Sequence, residues 1–183
     1  AAARPEKTAV IDENGADRFD TLLDRSRRCG TALAAHLSPT APVPVLLDKS
    51  REALYAFFGA AYAGCFYVPL SPALPQPRLT QILSVLQAPC IVTDREHAAL
   101  AAQLPSVGRI LLVEELLQTQ PDDTLLTRIR LGTIDGDPLY CNFTSGSTGT
   151  PKGVVVSHRS VLDFILPFTE LFRIGPDDVI GNQ

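Results

Sequence analysis

At 183 residues, 45% hydrophobic and 20% charged, the chain has the balance of an ordinary globular protein with one core, and one domain is the natural count. A formal net charge of -4 and an isoelectric point near 5.3 exclude a surface built to attract nucleic-acid phosphates or anionic lipid, which needs clustered positive charge. The longest apolar stretches, such as Ala53 to Ala63, stop well short of the roughly 18 to 20 residues that cross a bilayer, and no basic segment leads into an apolar core at the start, so the expected location is the cytoplasm.

Thr8 to Ile11 is a short apolar run followed by Asp12-Glu13-Asn14-Gly15, a strand entering a turn. Phe19, Leu22, Leu23, Ser26, Cys29, Leu33 and Leu37 then recur at three- and four-residue intervals, and Asp24, Arg25, Arg27 and Arg28 fall mostly on the other face. The spacing predicts an amphipathic helix ending near Ser38-Pro39. Val43 to Leu47 is a compact apolar strand. From Ser50 to Ala63 the residues Ala53, Leu54, Phe57, Phe58 and Ala61 keep helical spacing, closing on Gly64. Phe66 to Val68 gives a strand, Pro77 to Leu86 a helix through Leu79, Ile82, Leu83 and Leu86, and Cys90 to Val92 another strand. Glu96 to Leu104 reads as a helix and Arg109 to Val113 as a strand.

This alternation predicts an α/β fold, a largely parallel sheet layered between helices with right-handed crossovers. Glu114 to Gly136 is polar and weakly patterned, a connection with room for one short helix. Leu139 to Phe143 is a strand, Thr144 to Lys152 a loop rich in Gly and hydroxyls, Val154 to Val156 a second strand, and Arg159 to Phe172 a helix that Pro167 is expected to kink. Cys29, Cys65, Cys90 and Cys141 lie far apart with no C-x-x-C pair, mostly in apolar runs, and are expected to be reduced core residues. His36, His97 and His158 are not spaced to join them in a zinc site, so no metal ligand is expected in this chain. Arg51, Arg78 and the pair Asp122-Asp123 are assigned to solvated surface or turns.

The chemistry concentrates in Thr144-Ser145-Gly146-Ser147-Thr148-Gly149-Thr150-Pro151-Lys152-Gly153, which sets three Gly, five hydroxyls and one Lys after an apolar strand. Gly lets a backbone turn tightly and aim successive N–H groups into one concavity, which binds anions. Hydroxyls add donors, and a Lys adds a mobile charge that follows negative charge building on a departing phosphate. A plain surface loop has the same composition, but the Pro-Lys-Gly ending and the flanking apolar strands favour a polyphosphate site. The spacing is not that of a Walker A loop, because neither Gly146 nor Gly149 stands at the required distance from a Gly-Lys pair and Lys152 follows Pro151. No G-x-G-x-x-G opens a helix, so a dinucleotide site has no support.

The run Tyr140 to Val154 resembles the phosphate-loop signature of the adenylate-forming superfamily, which includes the adenylation domains of nonribosomal peptide synthetases, D-alanine carrier-protein ligases, and acyl- and aryl-CoA ligases. Ala63 to Pro72, followed by Pro75 and Arg78-Leu79, resembles a structural motif of the amino-acid-activating members, with Ser71 where they usually have Asp. Phe19 to Leu37 resembles their first helix motif more loosely. The resemblance implies an enzyme in which a carboxylate attacks the α-phosphate of ATP, forms an acyl-adenylate, releases pyrophosphate and passes the acyl group to a thiol of a carrier protein or CoA. It implies that Thr144, Ser145, Ser147, Thr148, Thr150 and Lys152 contact the phosphates and that Gly146, Gly149 and Gly153 shape the loop. Lys152 is the first catalytic candidate and His158, six residues on, the second, either lining the nucleotide or carboxylate pocket or serving as a helix-capping or surface residue.

Residues 1–183 are then expected to be the amino-terminal part of an adenylation domain, with the Mg²⁺-binding residue, the nucleotide-base motifs and a small carboxy-terminal domain further along. The absence of Met, even at position 1, fits a chain excised from something longer. The expected reaction is activation of an amino acid with ATP and Mg²⁺. The alternatives are an acyl- or aryl-CoA ligase and a catalytically silent nucleotide-binding or scaffold module.

Overall fold

The computed structural model describes residues 3–105, 108–144 and 150–181. β1 (Thr8–Asp12) and β2 (Gly15–Arg18) pair antiparallel, and the Asp12 carboxylate accepts from Asn14 N at 2.9 Å to close the turn between them. β2 escapes a reading by apolar pattern because its four residues, Gly-Ala-Asp-Arg, carry none. Asp17 points inward instead and is nearly buried. Arg51 Nη1 lies 3.1 Å from one of its oxygens, and the other takes Arg25 Nη1 at 3.1 Å together with the Tyr55 hydroxyl. Arg51 Nε also reaches Asp12 Oδ2 at 3.1 Å. Arg51 is therefore no surface cation; it clamps the hairpin to the two helices behind it.

Those helices are α1 (Phe19–Ala34) and α2 (Arg51–Tyr62). α1 stops before the predicted Leu37, and α2 starts where Ser50 Oγ accepts from Ala53 N at 3.2 Å. Gly64 follows α2 at φ +69°, the left-handed turn that a glycine makes without a Cβ penalty.

Among the described residues the main sheet has six strands in the order β6-β5-β3-β4-β7-β8. β3 (Pro42–Leu46), β4 (Phe66–Leu70), β5 (Cys90–Thr93), β6 (Arg109–Leu112) and β7 (Pro138–Thr144) are parallel, while β8 (Lys152–Ser157) runs antiparallel to β7. Both faces of β3 to β6 are covered, as the continuous apolar runs predict, while β8 at the edge keeps Val154 and Val155 exposed. Alternation along each strand sends Val43, Val45, Cys90 and Val92 to the face under α1 and α2. Leu46, Val68, Leu70 and Ile91 go to the face under α3 (Gln76–Leu86) and α4 (Ala98–Ala102). Each fully buried Leu, Ile or Val is worth about 1.5–3 kcal/mol relative to exposure, so these two cores carry the domain.

The connection from Glu114 to Gly136 holds more helix than its pattern promises. Val113 opens a single turn, α5 (Val113–Leu116), instead of ending β6. α6 (Asp123–Gly132) begins where Asp122 Oδ1 accepts from Leu125 N at 2.9 Å, so Asp122 is a helix cap, and Asp123 pairs with Arg27. α7 (His158–Leu171) runs through Pro167 and buries none of its described side chains, leaving Leu162, Phe164, Leu166 and Leu171 exposed. No helix among the described residues is long and apolar enough to cross a membrane.

Candidate functional site

Five parallel strands bring their carboxyl ends to one edge of the sheet, the edge at which open α/β sheets receive ligands. β7 delivers Thr144 there as its last residue, and Lys152, expected within the loop, is the first residue of β8. The two face each other in the ladder, and Thr144 Oγ1 donates to the Lys152 carbonyl at 3.5 Å. This rung closes the base of the hydroxyl-rich segment. Thr144, Thr150 and Lys152 are exposed, and Pro151 between them is buried. Ser145, Gly146, Ser147, Thr148 and Gly149 lie outside the described residues. Gly153 belongs to β8, opposite Phe143, so its role in the described structure is packing against β7.

Arg78 reaches the same place from another element. Its Nη2 donates to the Thr144 carbonyl at 2.9 Å, which corrects its assignment to solvated surface. The turn after β4 aims it: Ser71 Oγ accepts from Ala73 N at 3.3 Å, and Ser71 O accepts from Leu74 N at 3.1 Å. A short oxygen-bearing side chain at position 71 does the turn-closing work available to the Asp that the motif usually carries. α3 then starts with Pro77 in its first turn, and Leu79, fully buried, anchors the residue beside Arg78. The clue in the sequence was the pairing of Arg78 with Leu79 at the end of the motif that opens at Ala63, but nothing local says which strand the arginine meets.

His158 is placed elsewhere. Because β8 is antiparallel, its far end lies level with the start of β7, and Ser157 pairs with Pro138. Five strand steps separate Lys152 from Ser157, roughly 17 Å at the usual rise. His158 N donates to the Asp137 carbonyl at 3.1 Å, and Ser157 Oγ caps α7 by accepting from Ser160 N at 3.2 Å. The His158 ring lines a cleft of about 550 Å³ with Phe58, Tyr62, Arg130, Asp135 and Leu162, at the edge opposite Lys152. The structure does not bring the two catalytic candidates together; Ser157, not His158, caps α7, and His158 lines a cleft away from Lys152.

A third cluster was not foreseen. Where β3 and β5 end side by side, their connections leave in opposite directions, and Asp48, Asp94 and His97 meet there. His97 Nδ1 is 2.8 Å from Asp94 Oδ1 and its Nε2 is 3.4 Å from Asp48 Oδ2, a bracket that ties the two strand ends. Among the described residues no group of three or more His, Cys, Asp or Glu is arranged to hold a metal ion, so they offer no ligand set for the Mg²⁺ that the resemblance implies. The four cysteines are free and buried. Burial pushes the thiols of Cys29 and Cys90 up to about 12 and that of Cys65 up to about 11, which removes them from nucleophilic chemistry at neutral pH.

Comparison with known proteins agrees with this fold. The model of the family described as AMP-binding enzyme matches residues 1–182. Tyrocidine synthase 3 of Brevibacillus parabrevis is 31% identical over 181 residues, covering 98% of this chain and 3% of that protein. Among solved structures, the nonribosomal peptide synthetase FmoA3 in its AMPPNP-bound form superposes with a TM-score of 0.81 at 25% identity, over 97% of this chain and 18% of the other. A fatty acyl CoA synthetase of Mycobacterium tuberculosis shares the fold at a TM-score of 0.73 and 24% identity, over 88% of this chain and 33% of the other. The chain thus spans from 3% to 33% of the length of these three relatives.

Proposed function

Since the chain belongs to the AMP-binding enzyme family, we propose that it forms the phosphate-holding part of an ATP-dependent ligase that activates a carboxylate, in this case that of an amino acid. Residues 1–183 supply the amino-terminal part of the activating unit. The observation that carries the reading is the Thr144–Lys152 rung at the carboxyl edge of the sheet, from which the hydroxyl-rich segment leaves and returns. In the proposed reaction the substrate carboxylate oxygen bonds to the α-phosphorus of ATP. The bond from that phosphorus to the bridging oxygen of the leaving pyrophosphate breaks, and the departing group takes the electron pair.

The protein's work in such a displacement is placement and charge neutralisation. Lys152, exposed at the rung, supplies a positive charge for the β- and γ-phosphates. Ser145, Ser147, Thr148 and Thr150 supply hydroxyl donors around them, while the Thr144 hydroxyl is engaged by the Lys152 carbonyl, and Gly146 and Gly149 allow close approach of the backbone. ATP is the co-substrate and Mg²⁺ its counter-ion. An amino acid is favoured as the acid by the Ala63 to Pro72 segment, and a carrier-protein thiol is the acceptor that goes with it.

ATP–pyrophosphate exchange by the natural-length polypeptide, against amino, fatty and aromatic acids, tests this. Exchange that depends on one amino acid and falls roughly 10²- to 10³-fold in Lys152→Ala is expected. Exchange with a fatty or aromatic acid moves the protein to the CoA ligases. A folded, ATP-binding protein that exchanges with no acid is a silent module.

A further inference from the structure

Arg78 supplies what the end of β7 lacks. In the register Tyr67↔Tyr140, β4 ends at Leu70, level with Phe143, so Thr144 projects one residue past the strand beside it. Its carbonyl has run out of ladder partners on that side, and a strand-end carbonyl without a donor leaves the last residue free to splay. The Arg78 guanidinium takes the place of the missing strand, donating through Nη2 at 2.9 Å. The donor comes from a fixed element, since Leu79 beside it is fully buried and the Ser71 turn sets the start of α3. This contact uses one of the five N–H groups of the guanidinium.

We propose, resting on the ATP reading above, that Arg78 is a positioning residue for nucleotide binding. It holds the Thr144 carbonyl, and through the Thr144–Lys152 rung it fixes the point from which the Lys152 side chain leaves, while placing a second positive charge at the same edge. ATP affinity depends on this contact, whereas affinity for the acid does not.

The test compares wild type, Arg78→Ala, Arg78→Lys and Lys152→Ala in the natural-length protein. The KM for ATP, the KM for the acid and kcat are read by pyrophosphate exchange, ATP affinity by calorimetry, and folding by thermal unfolding. Losing a charge-assisted hydrogen bond is expected to raise the KM and Kd for ATP about tenfold in Arg78→Ala. The KM for the acid and the Tm stay within error of wild type, and Arg78→Lys, which keeps a charged donor, recovers most of the loss. If Lys152→Ala weakens ATP binding and Arg78→Ala does not, the positioning role falls and the ATP reading stands. A loss of ATP affinity that comes only with a lowered Tm, and that lysine does not restore, makes Arg78 a packing residue and overturns the proposal. A wild-type protein that neither binds ATP nor exchanges overturns both.

Discussion

Gly153 stands directly over Cys141: a Cβ built on it would lie 2.8 Å from Cys141 Sγ and 3.1 Å from the tip of the Phe143 ring. The last glycine of the loop signature is thus required by the contact between β8 and β7. Gly153→Ala is expected to cost about 1–3 kcal/mol, the usual penalty for forcing extra volume into packed structure. A urea midpoint unchanged from wild type would show that the strands part without cost.

The crossing of α1 and α2 makes a sharper demand. A Cβ on Gly59 would sit 2.5 Å from Cys29 Cβ, and one on Gly30 2.6 Å from Tyr62 Cβ, so the helices touch along their backbones. Gly59→Val should fail to give a cooperative thermal transition, and Gly59→Ala should lower Tm by several degrees. Gly132, at the end of α6, should behave in the opposite way, because a Cβ there would meet nothing within 4 Å. Gly132→Ala is expected to stabilise by about 0.4–1 kcal/mol by narrowing the unfolded ensemble.

Acid should loosen the hairpin first. Burial works to raise the pKa of Asp12, but the Arg51 backbone and side-chain hydrogen bonds outweigh it and hold the carboxyl below the ordinary aspartate value of about 3.9. A depressed folded pKa gives stability that is present in full above the unfolded value and is lost as pH falls through the folded one. The urea midpoint of wild type should therefore drop below about pH 4, and Asp12→Asn should flatten that limb. Asp17→Ala, which strips Arg51, Arg25 and the buried Tyr55 hydroxyl of a shared acceptor, should cost about 3–5 kcal/mol at neutral pH. A loss under about 1 kcal/mol would mean that water replaces the carboxylate.

The cysteines offer a check on the core. With Cys29, Cys65 and Cys90 buried and their thiols raised far above neutrality, none should react with a thiol reagent at pH 8 in the native protein. All should react in denaturing urea. Rapid native labelling of Cys29 would contradict the close contact of α1 with α2.

The repeated alternation of apolar strands with helices was enough to predict the parallel layered sheet, because side-chain period and β-branched runs are local properties that survive into the fold. The glycine- and hydroxyl-rich segment was legible for the same reason: its chemistry lies in ten consecutive residues. Signals that depend on partners far along the chain were not. Asp17, Arg51 and Arg78 look like surface charges until a hairpin or a strand end comes to meet them, and Asp122 looks like a turn until α6 begins behind it.

Sequence alone determined the class of fold, the strand that ends in the glycine- and hydroxyl-rich segment and the family to which the chain belongs, all carried by residues close together. Only tertiary structure decided that β7 lies beside β4 and that Arg78 meets its end; once β8 pairs with β7, the short connection from Thr144 to Lys152 leaves no room for a parallel crossover and makes it antiparallel. That reversal keeps Lys152 at the carboxyl ends of the parallel strands beside Thr144 and Arg78, and carries His158 a strand's length away to the opposite end. The physical reason is that strand order and the meeting of Arg78 with Thr144 depend on contacts between segments far apart in the chain, and no window of neighbouring residues contains that information.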